Sequence, residues 1–262
     1  MSTIDGSGTT RARCLLAPNP SPMTLDGTDT WVVAEPGAER VVVIDPGPAG
    51  DDHLRRVADH VHGSGRRVAV VLLTHGHFDH SEGAPRFAEL VDAPVRAFAP
   101  AYCTGGDPFV DGESIDVDGL RIDVVATPGH TADSVSFHLP ADSAVFTGDT
   151  VLGRGTTVVT HPEGDLGDYL ASIHRLRELA GSAPVATLLP GHGPVVADAV
   201  GVLDGYLAHR AERLDQVRAA VATGHTTPMD VVRTVYADVD RAVWPAAEQS
   251  VRAQLDYLRS HG

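Results

Sequence analysis

Apolar residues along most of the chain come in short runs separated by turn residues. Trp31 to Ala34, Val41 to Ile44, Val68 to Leu73, Val95 to Ala99, Leu120 to Ala126, Ser134 to Leu139 and Ala144 to Thr147 predict β-strands. Strands this dense require a sheet with a covered face. Between them, Asp51 to His62, Gly83 to Leu90 and Leu166 to Gly181 return apolar residues at spacings of three and four, which predicts helices. The fold class is therefore α/β (α+β) and layered. From Ala197 onward the strand pattern stops. A long amphipathic stretch runs to Ala222, followed by Gly224, a Thr-Thr-Pro helix start and two shorter helical patterns. We divide the chain into a main domain, residues 1–204, and a helical C-terminal domain, residues 205–262. Neither an internal repeat nor a low-complexity segment interrupts this plan.

Composition narrows the field. A chain of 262 residues with 42% hydrophobic content can bury a real core. Its 20 basic residues are all Arg, and 35 acidic residues leave a formal charge of -15. Residues 1–204 hold 28 acids and 13 Arg, whereas 205–262 hold seven of each. A body this acidic does not gather phosphate backbones by its net field, so stable DNA binding is not expected. Cys14 and Cys103 are far apart and in no metal-like spacing. The first thirty residues lack an apolar core, so neither export nor membrane spanning is expected, and a reducing cytoplasm fits best.

The histidines carry the chemistry. Directly after Val68 to Leu73 comes Thr74-His75-Gly76-His77-Phe78-Asp79-His80, a cluster that only a tight loop can converge. Gly76 is expected to let the backbone turn so that His75 and His77 face one ion while Asp79 and His80 face another. Three later loops, each placed where a strand should end, add His130, Asp149 and His192. Imidazole and carboxylate suit a borderline ion such as Zn²⁺. With His75, His77 and His130 on one ion, Asp79, His80 and His192 on the other, and Asp149 bridging, two Zn²⁺ per chain would keep an open position for water. Iron or manganese are the alternative metals. No Gly-x-Ser-x-Gly elbow offers a protein nucleophile.

His75-x-His77-x-Asp79-His80, then His130, Asp149 and His192, resemble the metallo-β-lactamase superfamily in order and kind. The resemblance implies an αββα sandwich over roughly residues 15 to 200, making 1–204 the catalytic domain. It also implies that Asp45, in Val43-Ile44-Asp45-Pro46-Gly47, buttresses the metal loop without binding metal. Asn19 to Thr28, Gly148 to Gly153, Gly155-Thr156-Thr157 and Tyr206-x-x-His209-Arg210 further resemble the lactamase-beta-like protein 2 branch. There the sandwich carries a winged-helix-like C-terminal domain, and a mitochondrial member cleaves single-stranded RNA. In this sequence Ser260-His261-Gly262 stands where the wing hairpin should follow, so a domain lacking an evident wing is expected.

These readings lead to a zinc-dependent metallo-hydrolase that uses metal-activated water, with Asp79 and Asp149 as catalytic carboxylates. Its substrate is expected to be a small thioester, ester or lactone. The alternatives are an endoribonuclease acting on single-stranded RNA and an iron-dependent oxidoreductase on the same fold. An aromatic content of 5% supplies little of the stacking track that RNA requires. Arg154, flanked by Gly153 and Gly155, is a candidate clamp for a substrate carboxylate or phosphate. His209 and Arg210 are expected to anchor the C-terminal domain. That domain's balanced charge favours a brace or a homodimer contact over a nucleic-acid reader.

Overall fold

Val41, Val42, Val43 and Ile44 are consecutive and all buried, because both faces of their strand are covered. Val42 and Ile44 enter a core shared with a second sheet, while Val41 and Val43 face helices on the outside. The computed structural model describes residues 4–183 and 185–261. Its elements are β1 (Ala12–Leu16), β2 (Asp29–Val33), β3 (Arg40–Ile44), α1 (Asp51–Gly63), β4 (Arg67–Leu72), α2 (Phe78–Ser81), α3 (Ala84–Val91) and β5 (Val95–Arg96). There follow β6 (Ser114–Val117), β7 (Leu120–Ala126), β8 (Val135–Leu139), β9 (Ala144–Gly148), α4 (Leu166–Ser182), β10 (Thr187–Pro190), α5 (Ala199–Ala222), α6 (Pro228–Val235) and α7 (Trp244–His261).

The strands form two five-stranded sheets, ordered β1-β2-β3-β4-β5 and β10-β9-β8-β7-β6. In the first, β1, β2 and β3 pair antiparallel and β3, β4 and β5 pair parallel. The second is antiparallel from β6 to β9 and adds β10 parallel to β9. Trp31, Phe137, Phe146 and Leu189 fill the space between the sheets, with Trp31 edge-on to Phe146 at 5.7 Å between ring centroids. Leu54 and Val57 of α1 and Phe87 of α3 cover the first sheet. Tyr169 and Ile173 of α4, with Leu203 and Tyr206 of α5, cover the second. The layers are those of an αββα sandwich.

Helix α5 belongs to two cores. Its first half packs on the sandwich through Leu203 and Tyr206, and its second half packs through Val217 and Ala220 on Val231 and Val232 of α6 and Val251 of α7. The 204/205 position lies inside this one continuous helix. Thr227 caps α6 by accepting from Asp230 N at 3.2 Å, directly before Pro228. Among the described residues no strand follows β10, and the C-terminal region holds helices alone. No helix among them is long and apolar enough to cross a membrane.

The structure corrects the strand pattern in places. Val95 to Ala99 contracts to Val95–Arg96, because Ala97 O turns to accept from Phe109 N and Pro100 starts a 3-10 turn. Strands β1, β6 and β10 are additional. In β6, Ile115 and Val117 face the core while Ser114 and Asp116 are exposed, an alternation too short to stand out in sequence.

Candidate metal centre

β3, β4, β9 and β10 all end on one edge of the sandwich, and their following loops meet there. After β4 the chain passes through Thr74, His75 and His77 into the single turn α2, which carries Asp79 and His80. The turn after β7 supplies His130, β9 ends at Gly148 before Asp149, and β10 ends at Pro190 before His192. Two groups of donor atoms result: His75, His77, His130 and Asp149, and Asp79, His80 and His192, each with its donors within 4.8 Å of one another.

The inward atoms lie close together. His77 Nδ1 is 3.1 Å from His75 Nε2 and 3.0 Å from His130 Nε2. In the second group, His192 Nε2 is 3.3 Å from His80 Nε2 and 3.1 Å from Asp79 Oδ2. Asp149 stands between the groups, its Oδ2 3.7 Å from His130 Nε2 and 3.3 Å from His192 Nε2. Asp149 Oδ1 is buried without a hydrogen-bond partner.

The outward ring nitrogens fix which face of each imidazole offers a lone pair. His130 Nδ1 donates to Val158 O at 2.6 Å, and His192 Nδ1 donates to Gly27 O at 3.0 Å. A carbonyl only accepts, so Nδ1 carries a proton in both rings: His130, kept neutral by burial, presents a bare Nε2 inward, and His192 presents one where a cation takes the place of the Nε2 proton that faces Asp79 and Asp149. Asp45, buried, accepts from Thr74 N at 2.8 Å, from Thr74 Oγ1 at 2.6 Å and from His80 Nδ1 at 2.8 Å. With its proton given to Asp45, Thr74 Oγ1 is left to accept from His75 Nδ1 at 3.0 Å. Asp45 thus orients both halves of the loop and belongs to neither donor group. It holds φ 49, and a left-handed acid is what swings this carboxylate under the loop.

Burial shapes the charge states. It holds His75 well below its ordinary pKa and pushes His130 down to about 4. Burial also opposes charge on His192, but Asp149 and Asp79 outweigh it and raise that ring to about 10. Asp149 is likewise buried, yet His192 and His80 keep its carboxyl well below the usual range.

Two glycines are required here by close approach. A Cβ on Gly191 would sit 2.6 Å from Asp149 Oδ1 and 2.7 Å from His80 Cε1. At Gly76 the backbone is not left-handed, which corrects the expected reason for a glycine: the Tyr102 ring occupies the space, 2.3 Å from where a Cβ would be.

Arg154 lies on the pocket beside this centre, half-exposed, with its guanidinium already paired to Asp26. Arg210 donates to Thr157 O at 2.5 Å, and Tyr206 OH, one turn earlier on α5, accepts from Leu152 N at 2.9 Å. Residues that sequence reasoning missed include Glu163, whose Oε2 is 3.6 Å from His77 Nε2, and Thr28, whose Oγ1 is 3.5 Å from Asp79 Oδ2. Glu163 carries no motif that could have pointed to it, and Thr28 closes the Asn19 to Thr28 segment, which pointed to the branch and not to the site.

A sandwich with this set of donors on its strand ends defines a class, and the chain belongs to the metallo-beta-lactamase superfamily: residues 23–192 match that superfamily. Residues 227–262 match the beta-lactamase associated winged helix domain. The resemblance to the lactamase-beta-like protein 2 branch holds along the chain, since the Beta-lactamase-like protein 2 homolog of Caenorhabditis elegans is 32% identical over 256 residues, covering 95% of this chain and 84% of that protein. An atrochrysone carboxyl ACP thioesterase of Aspergillus fumigatus is 34% identical over 211 residues, covering 79% of this chain and 64% of that protein. Among solved structures, a metallo-beta-lactamase family protein from Thermus thermophilus aligns with a TM-score of 0.80 at 22% identity, covering 96% of this chain and 94% of that one. A beta-lactamase domain protein from Burkholderia ambifaria aligns at 0.83 with 22% identity, covering 99% and 89%. These two share the fold.

Proposed function

We propose that the chain is a two-metal hydrolase of a small thioester, ester or lactone. The observation that carries this reading is a pocket of about 340 Å³ that opens onto His130 and Asp149. Leu25, Leu152 and Val158 line it from the sandwich, and Val239, Val243 and Ala247 face them from the C-terminal region. Mostly apolar walls and a volume in the small-ligand range suit one acyl group rather than a polymer strand. The thioesterase among the relatives supports the same substrate class.

The donor set fits a pair of divalent ions. Imidazole nitrogens converge with two carboxylates at distances that suit donors shared by cations, and Asp149 Oδ1 makes no hydrogen bond, with His80 Nε2 3.5 Å away. His75, His77 and His130 would hold one ion, Asp79, His80 and His192 the other, and Asp149 both; Zn²⁺ is the ion this nitrogen-rich set favours. When bound, the ions supply Lewis-acid polarisation of the substrate carbonyl and bring the pKa of water to near 7.

The chain's own residues do the rest. The apolar walls hold the acyl group with its carbonyl at the His130 and Asp149 end of the pocket. Asp79, on a half-buried side chain, would additionally take the proton of the attacking water and pass it to the leaving sulfur or oxygen. Water oxygen bonds to the acyl carbon, the acyl–sulfur or acyl–oxygen bond breaks, and thiol or alcohol departs with the proton.

The test is hydrolysis of short acyl thioesters by zinc-loaded protein of measured metal content, beside labelled single-stranded RNA and an Asp149→Ala control. Thioester cleavage lost in the control supports the reading. RNA cleavage without thioester cleavage replaces it with an endoribonuclease.

A further inference from the structure

Most arginines of the chain meet a carboxylate, as Arg11, Arg40, Arg96 and Arg177 do. Arg210 and Arg213, one turn apart on α5, form no ion pair among the described residues, yet both line the pocket that opens onto His130 and Asp149. Arg210 is buried, stacked with its guanidinium carbon 4.8 Å from the Tyr169 ring centroid, and its Nε has no hydrogen-bond partner. Arg213 lies 4.7 Å over the Tyr236 ring and spends one nitrogen on Val235 O at 2.9 Å and Gln216 Oε1 at 3.0 Å. His209, on the same wall, also has a buried Nδ1 without a partner.

A guanidinium removed from water without a counter-charge is costly, and two of them facing one cavity define a place for an anion. Among the described residues Asp149 is the one acid on the lining, and it belongs to the metal-facing donor group. We propose that the Arg210 and Arg213 wall is a carboxylate-binding subsite, so that the acyl group cleaved beside it ends in a carboxylate. The substrate class is then a monothioester or monoester of a short dicarboxylic acid. Planar guanidinium forks match a planar carboxylate, and the apolar residues of the same lining match the methylene chain. The inference rests on the hydrolase reading for the scissile bond, but not for the subsite itself. In the reaction the terminal carboxylate is unchanged: water adds to the acyl carbon and the thiol leaves with a proton.

The experiment compares two five-carbon acyl groups on N-acetylcysteamine, glutaryl and pentanoyl, and measures glutarate and pentanoate binding by calorimetry. In the wild type, glutaryl thioester is expected to exceed pentanoyl at least tenfold in kcat/KM, mostly through KM, and glutarate to bind at least tenfold tighter than pentanoate. Arg213→Gln, on a half-buried side chain, should erase both preferences, bringing glutaryl kcat/KM down towards the pentanoyl value and glutarate affinity down towards that of pentanoate. Arg210→Lys keeps the charge without the fork and should reduce the preference in part. Equal treatment of the two acyl groups overturns the subsite while leaving the hydrolase intact. Selective, Arg213-dependent glutarate binding with neither thioester cleaved upholds the subsite and removes the thioester hydrolase. Inorganic phosphate displacing glutarate at equal concentration overturns the carboxylate assignment.

Discussion

His80 Nδ1 lies 2.8 Å from Asp45 Oδ2, and both side chains are buried. The same carboxylate takes both donors of Thr74, so three donors depend on two oxygens. An amide at this position would turn an NH₂ group against one of those donors. Asp45→Asn is therefore expected to weaken metal binding by about 10- to 100-fold, the range seen when partners of metal-ligating histidines are replaced. Chelator competition measures it, and an unchanged affinity would remove Asp45 from the account.

Gly191 makes a separate demand. An alanine there leaves the backbone in an allowed conformation but drives its methyl into Asp149 and His80. Gly191→Ala should keep the far-ultraviolet circular dichroism of the wild type and lose at least one bound ion per chain. Full metal content in this variant would mean that the two ligands yield without consequence.

How much of this was legible follows from where each residue sits in the chain. His75, His77, Asp79 and His80 crowd one loop, and His130, Asp149 and His192 each follow a strand in a Gly-rich turn, so the candidate donors stand out locally. The partners of their outer nitrogens did not. Val158 O and Gly27 O are backbone atoms that any sequence would offer, and they meet His130 and His192 only through the tertiary fold. Arg213 looks in sequence like one more charge on an amphipathic helix; its lack of a carboxylate is a property of the packed molecule. The strand β6 escaped because only two of its four residues face the core.

Tyr206 ties α5 to the loop after Asp149 by accepting from the Leu152 backbone N at 2.9 Å. Tyr206→Phe leaves a buried N–H without a partner, which costs about 1–3 kcal/mol. Urea unfolding should show that loss, and a variant as stable as the wild type would place a substitute acceptor there.

His53 gives the fold a pH dependence. Its Nε2 meets Thr30 Oγ1 at 2.9 Å, its Nδ1 is buried without a partner, and burial lowers its pKa to about 4. The neutral ring is favoured in the fold, so its contribution is complete above the unfolded value of 6.5 and is lost as pH falls towards 4. The full difference is on the order of 3 kcal/mol. His53→Gln cannot charge, so between pH 7 and pH 4 it should lose less stability in urea than the wild type by roughly that amount. Parallel losses would show that the ring is protonated at little cost.

The central claim is that these seven side chains hold two ions for hydrolysis. Elemental analysis of protein loaded with zinc and freed of excess metal tests it most directly, with Asp149→Ala prepared to the same purity. Two zinc ions per chain are expected, with fewer in the variant because the carboxylate shared by both donor groups is gone. A single ion per chain, above all a single iron in protein as isolated, would contradict it.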